Sequence, residues 1–256
     1  MRVWIFSDLH LTDSSSSLYQ AFLKTLEQPT YSDDVVVFSG DLFDLLVGDS
    51  VYFRRKFEGF FTAVETLANR GVQLHYIEGN HDFHLRKLFQ TAIRFHEEEV
   101  VLEDHSQVPS QKIYIAHGDL VDQEDHGYLK LRAFLRGTPI RVLSSLLPGR
   151  LIDAIGAAVS RPLSQKADEL PEQWSVEKRE RLRKVFRAFA KAKHEAGCDF
   201  VVLGHCHDLD SVPSYYFNMG YPPVHLQYLF YGPVSGASDP APGAKNTLRR
   251  VSFWPT

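Results

Sequence analysis

Short apolar runs recur along the chain, and each ends directly in a cluster of glycine, aspartate, histidine or asparagine. The five runs lie at residues 2–7, 34–41, 72–82, 112–119 and 199–207. Their length and their content of Val, Ile, Phe and Tyr predict buried β-strands. Between them, residues 18–27 and 53–70 place Leu and Phe at helical spacing. The alternation of strand and helix predicts the α/β fold class.

Residues 120–197 lack this pattern and predict a helical insertion, a cap or lid, within a core formed by 1–119 and 198–256. The predicted helices are 126–136, 140–160 with a break at Pro148-Gly149, and 175–196. After the insertion we predict closing strands at 215–218, 224–231 and 247–253, with a loop at 235–245.

The insertion has two features with open interpretations. An apolar stripe at Leu143, Leu146, Leu147, Leu151, Ile152 and Ile155 either packs on the core or binds apolar groups. The basic run 178–184 is either a solvated helix face or a contact for anionic lipid headgroups.

Composition narrows the class of protein. The 256 residues are 44% hydrophobic and 23% charged, which is typical of a globular protein and not of a disordered chain. Two cysteines exclude a disulfide scaffold and favour a reducing compartment. Asp8 interrupts the apolar N-terminus, and no run approaches the roughly 18 apolar residues of a spanning helix. We therefore expect a cytoplasmic protein. The net charge of −4 gives no reason to expect nucleic-acid binding.

Histidine and carboxylate, the ligands of divalent transition metals, concentrate in the polar clusters. The clusters are Asp8-Leu9-His10, Gly40-Asp41-Leu42-Phe43-Asp44, Gly79-Asn80-His81-Asp82, His117-Gly118-Asp119 and Gly204-His205-Cys206-His207. In an extended segment alternate residues point the same way, so Asp8 with His10, and His205 with His207, are expected to face one side. The glycines let side chains approach closely. Ligands beyond the carboxyl ends of strands are typical of α/β sheets.

The donor set predicts the metal chemistry. Asp41 is the best candidate to bridge two ions, while Asn80 offers an oxygen and His117 a nitrogen. Nitrogen and oxygen without thiolate suit Mn²⁺, Fe, Zn²⁺ or Co²⁺ rather than a structural zinc. Two such ions about 3.5–4 Å apart would form a clamp for phosphoryl transfer.

The five clusters, in this order, resemble the motifs D-x-H, G-D-x-x-D, G-N-H-D, a histidine after a strand, and G-H-x-H of the calcineurin-like metallophosphoesterase superfamily. The resemblance implies a four-layer α/β-β/α sandwich of two mixed sheets with a dimetal site, most often Mn²⁺. It implies that one ion is held by Asp8, His10, Asp41 and His207, and the other by Asp41, Asn80, His117 and His205. It also implies that His81 lies over the scissile phosphate and that Asp82 orients it.

Within the superfamily, three segments look like UDP-2,3-diacylglucosamine pyrophosphohydrolases: GDLFDLLVGD, GNHDF and HGDLVDQEDHGYLKLR. That likeness implies a cap that binds acyl chains of a lipid A precursor, substrate contacts by Asp125 and Tyr128, and a peripheral position on the cytoplasmic face of the inner membrane. GNHD in place of GNRD, and GHCHD in place of GHTHRP, indicate a divergent branch.

Three functions follow as hypotheses. The first is hydrolysis of UDP-2,3-diacylglucosamine to UMP and diacylglucosamine 1-phosphate. The second is a soluble metallophosphoesterase acting on a nucleotide, a phosphoprotein or another phosphodiester. The third is a metal-stabilised binding module without catalysis, against which the intact ligand set argues.

Overall fold

The computed structural model describes residues 1–89, 93–156, 158, 174–233 and 245–253. Its strands are β1 Arg2–Phe6, β2 Asp34–Ser39, β3 Leu46–Val47, β4 Gln73–Ile77, β5 Asp82–Phe83, β6 Arg94–His96, β7 Glu99–Asp104, β8 Gln111–Ala116, β9 Phe200–Leu203, β10 Ser211–Val212, β11 Tyr216–Asn218, β12 Gln227–Gly232 and β13 Thr247–Ser252. Its helices are α1 Ser17–Thr25, α2 Val51–Lys56, α3 Glu58–Asn69, α4 His126–Leu135, α5 Thr138–Leu146, α6 at residues 149–156, α7 Val176–Glu195 and α8 Pro222–His225.

The strands form two large mixed sheets, as the family resemblance implies. The first has the order β13-β12-β1-β2-β4-β6 and the second β10-β11-β9-β8-β7, while β3 pairs with β5. Strands β1, β2 and β4 run parallel in the first sheet, and β8 and β9 run parallel in the second. The polar clusters that follow these five strands therefore emerge at corresponding strand ends.

Alternation along the strands produces four layers. In β1, Trp4 and Phe6 pack with α1 and α3 on one face, whereas Val3 and Ile5 pack between the two sheets. A third apolar cluster lies on the outer face of the second sheet. The order is helices, sheet, sheet, helix, because each sheet buries side chains on both faces.

Helix α7 is a layer of that core. Its buried residues, Phe186 and Ala190, pack against the second sheet beside Tyr114 and Val201. We had predicted it as the last helix of the insertion. We therefore propose that the insertion proper comprises α4, α5 and α6, whose Leu131, Phe134, Leu143, Leu146, Leu151 and Ile155 are exposed.

Several element boundaries differ from the sequence predictions. The expected helix 53–70 is divided at Phe57, where the backbone leaves helical geometry at φ −120° and ψ 37°. The expected strand 224–231 begins only at Gln227, after α8. The sequence does not predict β6 and β7, since β6 has only three residues and β7 alternates buried and exposed positions instead of forming an apolar run. The loop predicted at 235–245 lies, except for its last residue, outside the described residues.

Candidate metal centre

The predicted ligands converge, but not through extended backbone. Asp8, His10, His205 and His207 all adopt positive φ, at 54°, 43°, 66° and 55°. The explanation from strand periodicity was therefore wrong. Left-handed backbone is costly for residues other than glycine, and it persists where surrounding contacts hold it. It turns His205 and His207 toward different groups of ligands, which period-two alternation would not do.

The first group comprises Asp8, His10 and His207. The Nε2 atoms of His10 and His207 lie 3.1 Å apart, and His207 Nε2 is 3.5 Å from Asp8 Oδ1. The Asp8 carboxylate also accepts a hydrogen bond from the His205 backbone N–H. Two imidazole nitrogens this close can share at most one proton, and their convergence on a carboxylate is the arrangement that a metal ion satisfies.

The second group comprises Asp41, His117 and His205, and Asn80 joins it. The Asn80 Oδ1 atom lies 3.2 Å from His117 Nε2 and 3.1 Å from His205 Nδ1. His117 Nδ1 donates to the Ser39 carbonyl at 3.0 Å, which leaves Nε2 as its metal-facing nitrogen.

Asp41 lies between the two groups. Its Oδ2 atom is 3.4 Å from His117 Nε2 and 4.0 Å from His10 Nε2, so one carboxylate faces both. Glycine is required opposite it, because a Cβ on Gly79 would lie only 2.1 Å from Asp41 Oδ1. Gly204 stands in the same relation to Asp8 Oδ2, at 2.2 Å. Gly79 and Gly204 thus each make room for a carboxylate of another motif.

The pKa values of the carboxyl groups and of most imidazoles at this site favour the protonation states that bind a cation. Burial would raise the pKa values of the Asp8 and Asp41 carboxyl groups, but nearby imidazoles outweigh it and lower both. Burial lowers the pKa of His10 to about 3 and that of His205 to about 4. Burial would also lower the pKa of His117, but Asp41 and Asp8 raise it to about 10. Ionised carboxylates and the neutral imidazoles of His10 and His205 are the forms that bind a metal, whereas His117 would release its Nε2 proton when an ion binds beside Asp41.

His81 lies beside the first group but is not oriented by Asp82. Its Nδ1 donates to the Asp44 carbonyl at 2.8 Å, and its ring meets the His10 ring edge-on at 4.9 Å. Burial acts to lower the pKa of His81, but the Asp41 charge and the Asp44 carbonyl outweigh it, so the pKa is raised.

The Asp82 carboxylate instead holds the backbone together. It accepts hydrogen bonds from the backbone N–H groups of Asp41, Leu42 and Gly79 and from the Tyr76 hydroxyl. The expectation that Asp82 orients the His81 ring is therefore wrong. Asp82 fixes the turns that carry Asp41 and Asn80, because its two oxygens are already occupied by backbone N–H donors and the Tyr76 hydroxyl.

A cavity of about 570 Å³ opens from these ligands toward α4 and α7. Tyr128 lines it, with its ring 5.2 Å from the His205 ring. Asp125 also lines it, but its side chain caps α4 by accepting from the Tyr128 N–H at 2.9 Å. Substrate contact by either residue remains a prediction.

The apolar wall of this cavity was missed from the sequence. It consists of Phe83, Leu131, Leu135, Trp174, Leu182 and Phe186. Leu131 and Leu135 follow Tyr128 at helical spacing, and this pattern could have predicted an apolar face on the same side of the helix as Tyr128. The predicted stripe lies elsewhere: Leu143, Leu146, Leu151 and Ile155 are exposed, whereas Ile152 packs on the core.

The basic run 178–184 is not a free solvated face. Arg179 and Arg183 pair with Asp208, and Arg181 pairs with Asp122. These aspartates belong to the loops that follow the metal-ligand motifs. The positive charge on this face of α7 is therefore directed at the core.

A four-layer sandwich whose strand ends bring adjoining groups of His, Asp and Asn side chains to one cavity defines a candidate site for divalent metal ions. A family profile described as calcineurin-like phosphoesterase matches residues 1–209. The chain belongs to that family, and membership implies divalent metal ions.

Curated relatives carry a more specific name. A UDP-2,3-diacylglucosamine hydrolase from Psychromonas ingrahamii is 30% identical over 160 residues, 61% of this chain and 63% of the relative. One from Photorhabdus laumondii is 31% identical over 150 residues, 58% of this chain and 60% of the relative. The solved structure of the calcineurin-like phosphoesterase YfkN from Bacillus subtilis is 11% identical, with a TM-score of 0.39 over 99% of this chain and 90% of its own. The chain thus matches about three fifths of the length of these curated relatives.

The length and apolar content of the helices bear on whether one of them could span a membrane. No helix among the described residues is both long enough and apolar enough to cross a membrane.

Proposed function

We propose that this protein is a metal-dependent phosphohydrolase that binds two divalent ions, Mn²⁺ or a similar transition metal. Asp8, His10 and His207 would hold one ion, and Asn80, His117 and His205 the other, with Asp41 bridging them. The convergence of nitrogen and oxygen donors without thiolate supports this assignment.

The bound ions would supply the charge that activates water and neutralises the phosphoryl oxygens. His81 presents Nε2 to the cavity, because Nδ1 is occupied by the Asp44 carbonyl. With its raised pKa, the ring would donate a hydrogen bond to a phosphoryl oxygen or a proton to the leaving group. The Asp44 carbonyl would keep the ring in that orientation.

For the substrate we propose UDP-2,3-diacylglucosamine, cleaved to UMP and diacylglucosamine 1-phosphate. The observation that carries this proposal is the cavity itself, which joins the metal ligands to an apolar wall on α4 and α7. Phosphate at the ligands and acyl chains along Leu131 and Leu135 would match the two chemical halves of such a lipid. The curated relatives bear the same name.

The exposed apolar stripe supports a place on the cytoplasmic face of the membrane. Leu146 is 76% exposed, and Leu143, Leu151 and Ile155 lie on the same two helices, α5 and α6. Exposed leucine and isoleucine on the outside of the insertion would enter the interface between lipid headgroups and acyl chains. Peripheral contact would then deliver a membrane-embedded substrate to the cavity.

The experiment is UMP release from UDP-2,3-diacylglucosamine by purified protein with Mn²⁺ and a mild detergent. We expect release with the native protein and none with Asp41→Ala. Asp33→Ala serves as a matched control, because it removes an exposed aspartate outside the cavity lining.

The other outcomes assign the other functions. Hydrolysis of an aryl phosphodiester without UMP release would favour the second function, a phosphoesterase acting on a nucleotide, phosphoprotein or other phosphodiester. Bound metal without turnover of any phosphoester would favour a catalytically inactive binding module. Full activity of Asp41→Ala with added metal would refute the two-ion assignment.

A further inference from the structure

Two helices reach the two ligand groups from different directions, each through side chains spaced four residues apart. On α4 they are Tyr128, Arg132 and, at the C-cap, Arg136. On α7 they are Arg179 and Arg183, while Arg187, which continues the same row, pairs with Asp210 and not with a residue beside a ligand. Residues at i, i+4 and i+8 share one helix face, so each helix presents a continuous row to the core.

The α4 row contacts the three loops that carry Asn80, His117 and His205 of the second group. Tyr128 packs on His205, and both Tyr128 and Arg132 donate to Asp119, two residues after His117. Arg136 Nη2 donates to the carbonyls of Glu78 at 2.8 Å and Gly79 at 3.0 Å, directly before Asn80.

The Arg136 contact is a fixed one. Its side chain is 17% exposed, and Nη1 lies 3.4 Å from the Glu78 carboxylate. A guanidinium that bridges two backbone carbonyls and a carboxylate fixes the position of the peptide segment before Asn80.

The α7 row contacts the residue that follows His207, a ligand of the first group. Arg179 and Arg183 both bind the Asp208 carboxylate, and Asp208 directly follows His207. Asp208 is only 2% exposed, so its charge depends on the two guanidinium groups. His205 and His207 have positive φ, and such backbone keeps its geometry only where neighbouring contacts hold it.

We infer that Arg136 and Arg183 are positioning residues, each of which sets the affinity of a different metal ion. Arg136 on α4 positions Asn80 for the second ion, and Arg183 on α7 positions His207 for the first. The inference rests on the two-ion assignment above. It adds that α4, in the insertion, influences the affinity of the second ion, and that α7, in the core, influences the affinity of the first.

The two helices also share the substrate cavity. Leu131 and Leu135 of α4 face Leu182 and Phe186 of α7 across it. An occupant that touches both walls would therefore touch both positioning elements. Ligand geometry and substrate contact thus depend on the same two helices.

The test measures metal binding, not turnover. The apo-protein is titrated with Mn²⁺ by calorimetry, and the bound ions are followed by electron paramagnetic resonance. His117→Ala leaves the first ligand group intact, and His207→Ala leaves the second ligand group intact. Each should bind one ion and lose the exchange-coupled spectrum of the pair.

Arg136→Gln should weaken the remaining ion about 10- to 100-fold in the His207→Ala background and leave it unchanged in the His117→Ala background. Arg183→Gln should weaken the remaining ion in the His117→Ala background and leave it unchanged in the His207→Ala background. Arg187→Gln is the matched control: it removes a similar arginine–aspartate pair, with Asp210, which does not adjoin a ligand. It should leave both ions at native affinity.

Equal weakening in the two backgrounds, or no weakening in either, would overturn the inference while leaving two ions in place. Failure of both ligand deletions to change the stoichiometry would instead overturn the two-ion assignment. If a glutamine variant does not fold, Arg136→Lys and Arg183→Lys replace it. Each keeps the charge but loses the bidentate contact, and the same crossed pattern is expected at about tenfold.

Discussion

The Nε2 atoms of His10 and His207 face each other at 3.1 Å although 196 residues of chain lie between them. Within the described part of the chain, neither nitrogen has a hydrogen-bond donor other than the opposite ring. Asp8 Oδ1, 3.5 Å from His207, completes a set of donors that a cation would satisfy. This group is expected to depend on metal for its stability.

Removal of metal should therefore lower the melting temperature. An ion at about 100 times its dissociation constant contributes about 2.7 kcal/mol, which corresponds to roughly 5–10 °C for a chain of this size. Calorimetry of chelator-treated protein, before and after Mn²⁺ is restored, measures the shift. An Asp41→Ala variant should show a much smaller one. Identical melting with and without metal would contradict the site.

His81→Ala should lower kcat by about 10²–10⁴-fold without changing metal content. The ring lines the cavity, and its Nδ1 donates a hydrogen bond to the Asp44 backbone carbonyl. Steady-state kinetics together with elemental analysis separates the two effects. His84→Ala, whose ring bonds the Leu135 carbonyl beside the same turn, is the control and should stay near native activity. Loss of an ion in His81→Ala would make His81 a ligand.

Asp82→Asn should reduce stability by about 1–3 kcal/mol. Both carboxylate oxygens accept from buried donors, including the Gly79 N–H and the Tyr76 hydroxyl, so an amide nitrogen would face a donor. Urea unfolding measures the loss, and Asp49→Asn at the partly exposed Lys87 contact is the control. Unchanged stability would argue that Asp82 acts on the chemistry alone.

Leu135→Glu should raise KM for a diacylated substrate about tenfold or more, since it places a charge in the apolar wall. Hydrolysis of a short aryl phosphodiester should change little. Leu146→Glu, on the exposed stripe, should leave both reactions in detergent unchanged but weaken binding to anionic lipid vesicles. An equal loss on both substrates would indicate damage to the metal centre instead of to an acyl site.

Stability should fall below neutral pH through His75. Burial, with His96 and Arg94 adding to it, lowers the pKa of His75 from 6.5 to about 4. Protonation therefore favours the unfolded chain, so the contribution is complete above about pH 6.5 and is lost as the pH falls toward 4. The slope for one such group is at most about 1.4 kcal/mol per pH unit.

Urea unfolding between pH 7 and pH 5 measures that slope. His75→Gln should flatten it. His105→Gln, which changes an exposed histidine, should retain it. An unchanged slope in His75→Gln would show that other groups cause the acid sensitivity.

Much of the fold could be predicted because its signals are local. Apolar strands that run into Gly, Asp and His clusters marked β1, β2, β4, β8 and β9, and each of these strands is present. Strands β6 and β7 gave no such signal, because β6 has only three residues and β7 buries only every second residue, so neither forms a continuous apolar run. Edge pairing depends on what the neighbouring strand leaves unpaired and is not encoded in local composition.

The sequence by itself determined which residue types stand at the strand ends, and with them the metal chemistry. Tertiary structure decided their grouping: His205 and His207 belong to different ligand groups, Asp82 binds backbone and not His81, and Arg136 reaches Glu78, 58 residues away. The physical reason is that left-handed backbone at the ligands and the long-range hydrogen bonds around them are held by packing between distant segments, and neither leaves a periodic trace in the chain.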